Sequence, residues 1–345
     1  MKHFHLALIT ALATVTGGSY AQTQGELNLY SARHYSTDEQ LYSNFTKQTG
    51  IKINRIDAGD EAILERLRIE GSRSPADVLL LVDAARLWKA QIEGLLAPIK
   101  SATLETKIPV TLRSKDEGNG SQWFAFSTRA RVMVYNKASI SPASVANYED
   151  LALPAMKGKV CSRSASHPYM LSLISTMVNH LGEQKAEQWA AGVVANMARP
   201  PRGGDTDQIK AVAVGECGVA LTNTYYWARI LKSTTPEDKA IVEKVGFIWP
   251  NQKGVGAHMN IAGGAVLKNA PNRAAAIKFL EYLASDQAQA YFAEGNNEWP
   301  AVSSVKTKNP ELESLGPFKA DTLSVAQIAR HTVTASKIID RVGWR

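Results

Sequence analysis

Between residues 25 and 93 short apolar runs alternate with amphipathic stretches, and no other feature of the chain restricts the possible folds as much. Leu27 and Leu29 alternate with polar neighbours over residues 25–30, as in a half-buried strand. A helical pattern carrying Leu41, Tyr42 and Phe45 follows, opened by Ser36 or Thr37 and stopped at Gly50. A strand over residues 51–56, a helix over 60–70, an apolar strand over 78–82 and a helix over 84–93 continue the order. Such a strand–helix succession builds a mostly parallel sheet with helices on both faces. Ligands then bind beyond the carboxyl ends of the strands, and His34 and Tyr35 stand at that end of the first one.

Residues 95–122 are weakly periodic and read as surface structure. Residues 123–135 read as two extended pieces around Ser127-Thr128-Arg129-Ala130-Arg131, with the first crossover between domains just before Arg131. The pattern then restarts: a strand over 159–161, a loop over 162–169, helices over 170–181, 185–197 and 207–214, and a strand over 218–221. That strand runs into Asn223-Thr224-Tyr225-Tyr226-Trp227, at the start of a helix over 227–232. From residue 247 the chain is extended, and the glycine-rich residues 254–264 read as the return crossover, since Gly254-Val255-Gly256 lacks the third glycine of a dinucleotide loop. Residues 271–295 have helical spacings, as does the tail over 324–342 with Ile328, Val333, Ile338 and Ile339 on its apolar positions.

Residues 1–21 have the one Lys, the apolar middle and the small residues before the cut that mark a secretory leader cleaved before Gln22. No cysteine follows the cut to carry a lipid, and no later stretch is apolar enough to span a bilayer, so no stable membrane insertion is expected. The 324 residues beyond the leader exceed what one core usually serves, so two domains are expected. Loss of Lys2 from the 39 basic residues, against 32 acidic ones, leaves a net charge of +6. The basic residues are scattered, which argues against a nucleic-acid partner. Cys161 and Cys217, an isolated pair in an oxidising compartment, are either bridged or two buried thiols acting as small hydrophobes. Neither a Gly-x-Ser-x-Gly elbow nor a His-Glu-x-x-His motif is present, so no hydrolase is indicated.

Adjacent strand residues point to opposite faces, so Tyr225 and Tyr226 could not meet one ligand within a strand, but at a strand-to-helix turn they can converge. Tyr35 and Tyr169 occupy similar turns. A phenol that loses its proton to a hard trivalent cation becomes an anionic oxygen ligand. The competing reading is a set of core aromatics using their hydroxyls as polar handles.

The chain resembles the periplasmic ferric-ion-binding proteins of bacterial ABC iron-uptake systems. The resemblance covers essentially all residues after the leader and rests on Leu29-Tyr30-Ser31-Ala32-Arg33-His34-Tyr35, Glu70-Gly71-Ser72-Arg73-Ser74-Pro75-Ala76-Asp77, Arg131-Val132-Met133-Val134-Tyr135-Asn136, the Asn223–Trp227 block and Gly263-Gly264-Ala265-Val266-Leu267-Lys268. It implies an α/β, two-lobed, transferrin-like (type II) substrate-binding fold, each lobe a mixed sheet covered by helices, joined by a two-strand hinge. One lobe would comprise residues 22–127 plus 260–309 and the other residues 128–259 plus 310–345. One branch of that family uses a His, a Glu and two Tyr with phosphate; here Val82 falls where that branch has its Glu. The chain is more similar to the tyrosine-rich branch, which implies Tyr35, Tyr169, Tyr225 and Tyr226 as Fe(3+) ligands. His34 would be a fifth ligand or a group behind them. Arg129 matches a position where relatives hold an anion such as carbonate, and Arg33 adjoins the ligand loop; the alternative for each is a surface salt bridge. The resemblance further implies a periplasmic monomer, not an enzyme, that serves an inner-membrane ABC permease. An organic cargo on the same fold, such as a polyamine, thiamine or a sugar phosphate, is the alternative, with the tyrosines and Trp227 as stacking walls.

Overall fold

The structure, a computed structural model, describes residues 25–345 apart from His34 and Thr307. The leader expected over residues 1–21 lies outside the described residues. Strand β1 (Glu26–Ser31) runs parallel to β2 (Lys52–Asp57) on one side and β3 (Val78–Leu81) on the other. All four residues of β3 are aliphatic and buried, as a strand covered on both faces requires. Helices Asp38–Thr49, Asp60–Glu70 and Ala84–Ile92 connect and cover these strands, within a residue or two of the pattern read from the sequence.

The second half of the sheet is built on β4 (Phe124–Asn136), followed by β5 (Val160–Cys161), β6 (Val219–Asn223), β7 (Val245–Ile248), β8 (Met259–Val266) and the short β9 (Trp299–Pro300). The spatial order is β2-β1-β3-β8-β4-β6-β5, with β7 and β9 also paired to β4. β8 is antiparallel to β3 and β4, so the sheet is mixed. Residues 124–130 of β4 pair with β8 and residues 131–136 pair with β6 and β7, so one strand belongs to both halves. The two extended pieces expected over residues 123–135 are therefore a single strand. Its polar middle imitates a break, but a register shift between Ala125 and Ser127 is absorbed without ending the ladder.

Residues 95–122 do not form a surface stretch: Leu96, Ile99, Leu104 and Ile108 enter the first core. Their irregular spacing hides this, because turns and the short helix Ala102–Lys107 deliver them one at a time. Several helices begin earlier than expected. Helix Pro168–Leu181 takes in Tyr169, and helix Thr224–Lys232 takes in both Tyr225 and Tyr226. The tail is two helices, Val325–Arg330 and Thr332–Val342; Ile338 and Ile339 are buried, whereas Val333 is 61% exposed, contrary to its expected place on the apolar face. No helix among the described residues is long and apolar enough to cross a membrane.

One core packs the aromatics Phe45, Trp123, Phe124 and Phe279 around β1, β3 and β8. A Cβ on Gly263 would stand 2.6 Å from the Phe124 carbonyl oxygen and 2.8 Å from Leu87, so this strand of the return crossover must be glycine to let helix and sheet approach. A second core, with Trp189 and Trp344, lies under helices 168–181 and 332–342. A third, with Ile209, Val212 and Trp227, includes Cys161 and Cys217, which are bridged with a Cα–Cα separation of 5.8 Å. His258, just before β8, is wholly buried; its Nδ1 is 2.9 Å from Thr176 Oγ1, and its backbone N–H donates to the Tyr148 hydroxyl. Burial, together with the nearby Arg131, Arg129 and His180, pushes its imidazole down to about 3.

Two outcomes follow. The disulfide closes a 56-residue separation, so Cys161→Ala with Cys217→Ala is expected to lower unfolding stability by about 4 kcal/mol through the freed unfolded chain, read by urea denaturation. His258 has a folded pKa below its unfolded value; the unfolded state binds the proton first, and stability falls as pH drops from about 6.5 toward 3. Between pH 7 and pH 5 the loss attributable to this residue is about 2 kcal/mol, and His258→Gln should remove that part of the acid slope.

Candidate metal centre

The phenols are brought together by three separate pieces of chain. Tyr169 is the second residue of helix Pro168–Leu181, whose start is set by Pro168 and by His167 Nδ1 accepting the Tyr169 N–H at 3.3 Å. Tyr225 and Tyr226 sit in the first turn of helix Thr224–Lys232, directly after β6. The end of β6 is anchored from below: the Asn223 N–H donates to Asp205 at 2.9 Å, and Arg131 donates to the Asn223 side-chain oxygen at 3.1 Å while pairing with Asp205. Tyr35 comes from the loop after β1. There Arg33 grips Asp38 through two hydrogen bonds of 2.6 and 3.1 Å and lays its guanidinium 4.7 Å over the Tyr35 ring.

Tyr169 Oη and Tyr225 Oη are 3.0 Å apart. The Tyr35 ring meets that of Tyr225 edge-on at 5.7 Å, and the Tyr226 ring lies 4.2 Å from Tyr225. Tyr35, Tyr169 and Tyr225 are buried, Tyr226 is half-buried, and Val82 packs against the group. The four expected tyrosines are thus one cluster, while His34 lies outside the described residues. Among the described residues no three His, Cys, Asp or Glu side chains gather as a metal site; the oxygen atoms of the phenol cluster are of the kind that could hold a hard cation.

Arg129 and Arg33 are not surface residues. Arg129 is fully buried, lies 5.2 Å over the Tyr169 ring, and none of its three nitrogens has a hydrogen-bond partner among the described residues. Arg33 is 7% exposed and its salt bridge is internal. Two further cations flank the rings: Arg163 is 5.3 Å from the Tyr169 ring, and Arg229 is 5.5 Å from that of Tyr226. Glu298 gives no signal in the sequence, being one acidic residue between a helix and a two-residue strand. It is wholly buried and accepts hydrogen bonds from Tyr35 Oη at 3.2 Å and Ser127 Oγ at 2.8 Å.

Burial raises the proton affinity of Tyr35, Tyr169 and Tyr225 well beyond that of an ordinary phenol. Glu298 and the neighbouring phenols push the same way for Tyr35, whereas Arg129 opposes the rise in all three. Burial alone would weaken the proton's hold on Arg129, but Tyr169, Glu298, Tyr35 and Tyr225 outweigh it, and the guanidinium stays charged. At neutral pH Tyr35, Tyr169 and Tyr225 are neutral phenols beside a guanidinium that has a carboxylate oxygen of Glu298 at 3.6 Å but no hydrogen bond among the described residues. A strongly polarising cation can displace those protons and turn the phenols into anionic oxygen donors.

A fold of this topology with a buried polar site beside the shared strand is that of an α/β substrate-binding protein. The family model for bacterial extracellular solute-binding proteins matches residues 40–320, and the chain belongs to that family. Within it, the chain is 47% identical over 322 residues to iron uptake protein A1 of Synechocystis sp., covering 93% of this chain and 88% of the relative. Among solved structures it is similar to a Trichodesmium protein in complex with iron and citrate ligands, at 50% identity, TM-score 0.85, and coverage of 93% of this chain and 100% of that one. The ferric binding protein of Campylobacter jejuni is 40% identical with a TM-score of 0.88, covering 92% of this chain and 100% of that one. These relatives are iron-binding and iron-uptake proteins, not enzymes.

Proposed function

We infer that the protein binds ferric iron outside the cytoplasmic membrane, as a monomer, and delivers it to an ABC permease of the inner membrane. The observation that carries this reading is the 3.0 Å approach of the Tyr169 and Tyr225 hydroxyls in a buried cluster with Tyr35 and Tyr226, beside Arg129, whose nitrogens make no hydrogen bond among the described residues. In this reading Tyr35, Tyr169, Tyr225 and Tyr226 are the ligands, with His34 a further candidate. Four phenolates on a trivalent ion leave one negative charge, which Arg129 offsets. If only three coordinate, the guanidinium is free to hold an anion such as carbonate against the metal.

The lobes would be residues 22–127 plus 260–309 and residues 128–259 plus 310–345, hinged on β4 and β8. Tyr169, Tyr225 and Tyr226 would stay with the second lobe while closure adds Tyr35 from the first. Iron then favours the closed form by the difference in its affinity for the two arrangements, and that form is the one presented to the permease.

Titration with iron as a soluble ferric chelate is expected to produce a visible phenolate-to-iron charge-transfer band. Tyr169→Phe and Tyr225→Phe should each weaken binding by about 100-fold or more, since losing a ligand exceeds the cost of losing its supporting partner. A colourless wild-type protein would overturn the assignment. Because burial raises the phenol proton affinities, iron and protons compete, and affinity should rise with pH with about one proton released per phenol coordinated. Arg129 is the charge that opposes this rise, so Arg129→Leu should move the pH of half-release upward by about one unit or more.

A further inference from the structure

Tyr35 is the one of the four tyrosines that precedes β4, coming from the loop after β1, and its hydroxyl does not take part in the Tyr169–Tyr225 hydrogen bond. It donates instead to Glu298, whose Oε1 accepts from Tyr35 Oη at 3.2 Å. That carboxylate is held on its other side, where Oε2 accepts from Ser127 Oγ at 2.8 Å. Its backbone is held as well: the Glu298 N–H donates to the Phe292 carbonyl at 3.1 Å, and the next two residues form β9, which pairs with Ser127 and Thr128 of β4. Two guanidiniums stand close to it without hydrogen-bonding it, Arg129 at 3.6 Å and Arg33 at 3.7 Å. Glu298 itself is wholly buried, and a buried carboxylate is costly unless each oxygen is engaged.

We propose that Glu298 is a positioning residue for metal capture, which holds the Tyr35 hydroxyl toward Tyr169 and Tyr225 so that the ligand from the loop after β1 arrives in place. This rests on the iron-binding reading above. The chain of contacts runs from β4 through Ser127 to Glu298 and on to Tyr35, and each link is a hydrogen bond of fixed direction. A phenol ring has only two torsions, so one hydrogen bond at its tip, with Arg33 on its face, restricts where its oxygen can stand. Preorganisation of this kind affects how well a site closes on its cargo without the residue touching the cargo.

The competing explanation is that Glu298 serves only as a counter-ion for Arg129 and Arg33. The two differ in whether the effect of Glu298 passes through Tyr35. Ferric affinity, measured by competition with a soluble chelator, and the intensity of the charge-transfer band would be recorded for wild type, Glu298→Ala, Ser127→Ala, Tyr35→Phe and the two double variants with Tyr35→Phe. Glu298→Ala is expected to weaken binding about 10-fold or more, Ser127→Ala a few-fold by loosening the carboxylate, and neither should weaken it further once Tyr35 is Phe. Equal losses in the wild-type and Tyr35→Phe backgrounds, or unchanged affinity and band in Glu298→Ala, would overturn the proposal. Should Glu298→Ala fail to fold, Ser127→Ala and its double variant decide by the same criterion. Failure of the wild type to bind iron at all would count against the function, not against this residue.

Discussion

Three buried polar side chains at alternate positions of one strand, Ser127, Arg129 and Arg131, organise the whole site. Strand alternation puts them on one face, and each engages a different piece of the chain. Ser127 holds Glu298, Arg129 lies over Tyr169, and Arg131 ties Asp205 to the end of β6, from which Tyr225 and Tyr226 depart. Because β4 pairs with β8 over its first part and with β6 and β7 over its second, this polar stripe lies along the seam between the two halves of the sheet. A polar row in a central strand would ordinarily weaken a core. Here it is tolerated because each member meets a partner from outside the sheet.

The two arginines of that row illustrate the difference between a buried charge matched by hydrogen bonds and one that is not. Arg131 is matched by Asp205, which also takes Arg163 and the Asn223 N–H, and burial of that carboxylate is outweighed by the two guanidiniums, so it stays ionised. Removing one partner of such a group leaves the other buried and uncompensated, typically a loss of about 3–5 kcal/mol. Arg129 has the carboxylate of Glu298 at 3.6 Å but no hydrogen bond on any nitrogen. Negative charge forming on the phenols that guanidinium faces would give it the partner it lacks in hydrogen-bonding terms, so on the proposed function the protein would hold in advance the charge that metal binding requires.

The tyrosine cluster balances two opposing effects of burial. Desolvation makes Tyr35, Tyr169 and Tyr225 reluctant to ionise, which on the proposed function would keep the site closed to weakly polarising cations. The same low-dielectric surroundings would strengthen the interaction between phenolate, a bound metal and Arg129 once ionisation had occurred. Val82, packed against the rings, adds no donor of its own and keeps water away from that side.

Much of this could be read from the residues in order. The alternation of β1, β2 and β3 with their helices is legible because each element buries one face and therefore shows a period, and the Tyr225-Tyr226 pair announces itself by standing where a strand gives way to a helix. The block resemblance located all four tyrosines. Contacts between segments far apart in the chain were not legible. Glu298 meets Tyr35 across 263 residues, Leu96 and Ile99 reach the core from turns with no period, and Ser127, Arg129 and Arg131 look like a break in a strand until their partners are known. Periodicity and turn chemistry are local, so the chain by itself determines its elements and the kind of donor it offers. Which charges face which phenols, and which are left without a hydrogen bond, depends on the packing of distant segments, and only the tertiary structure decides that.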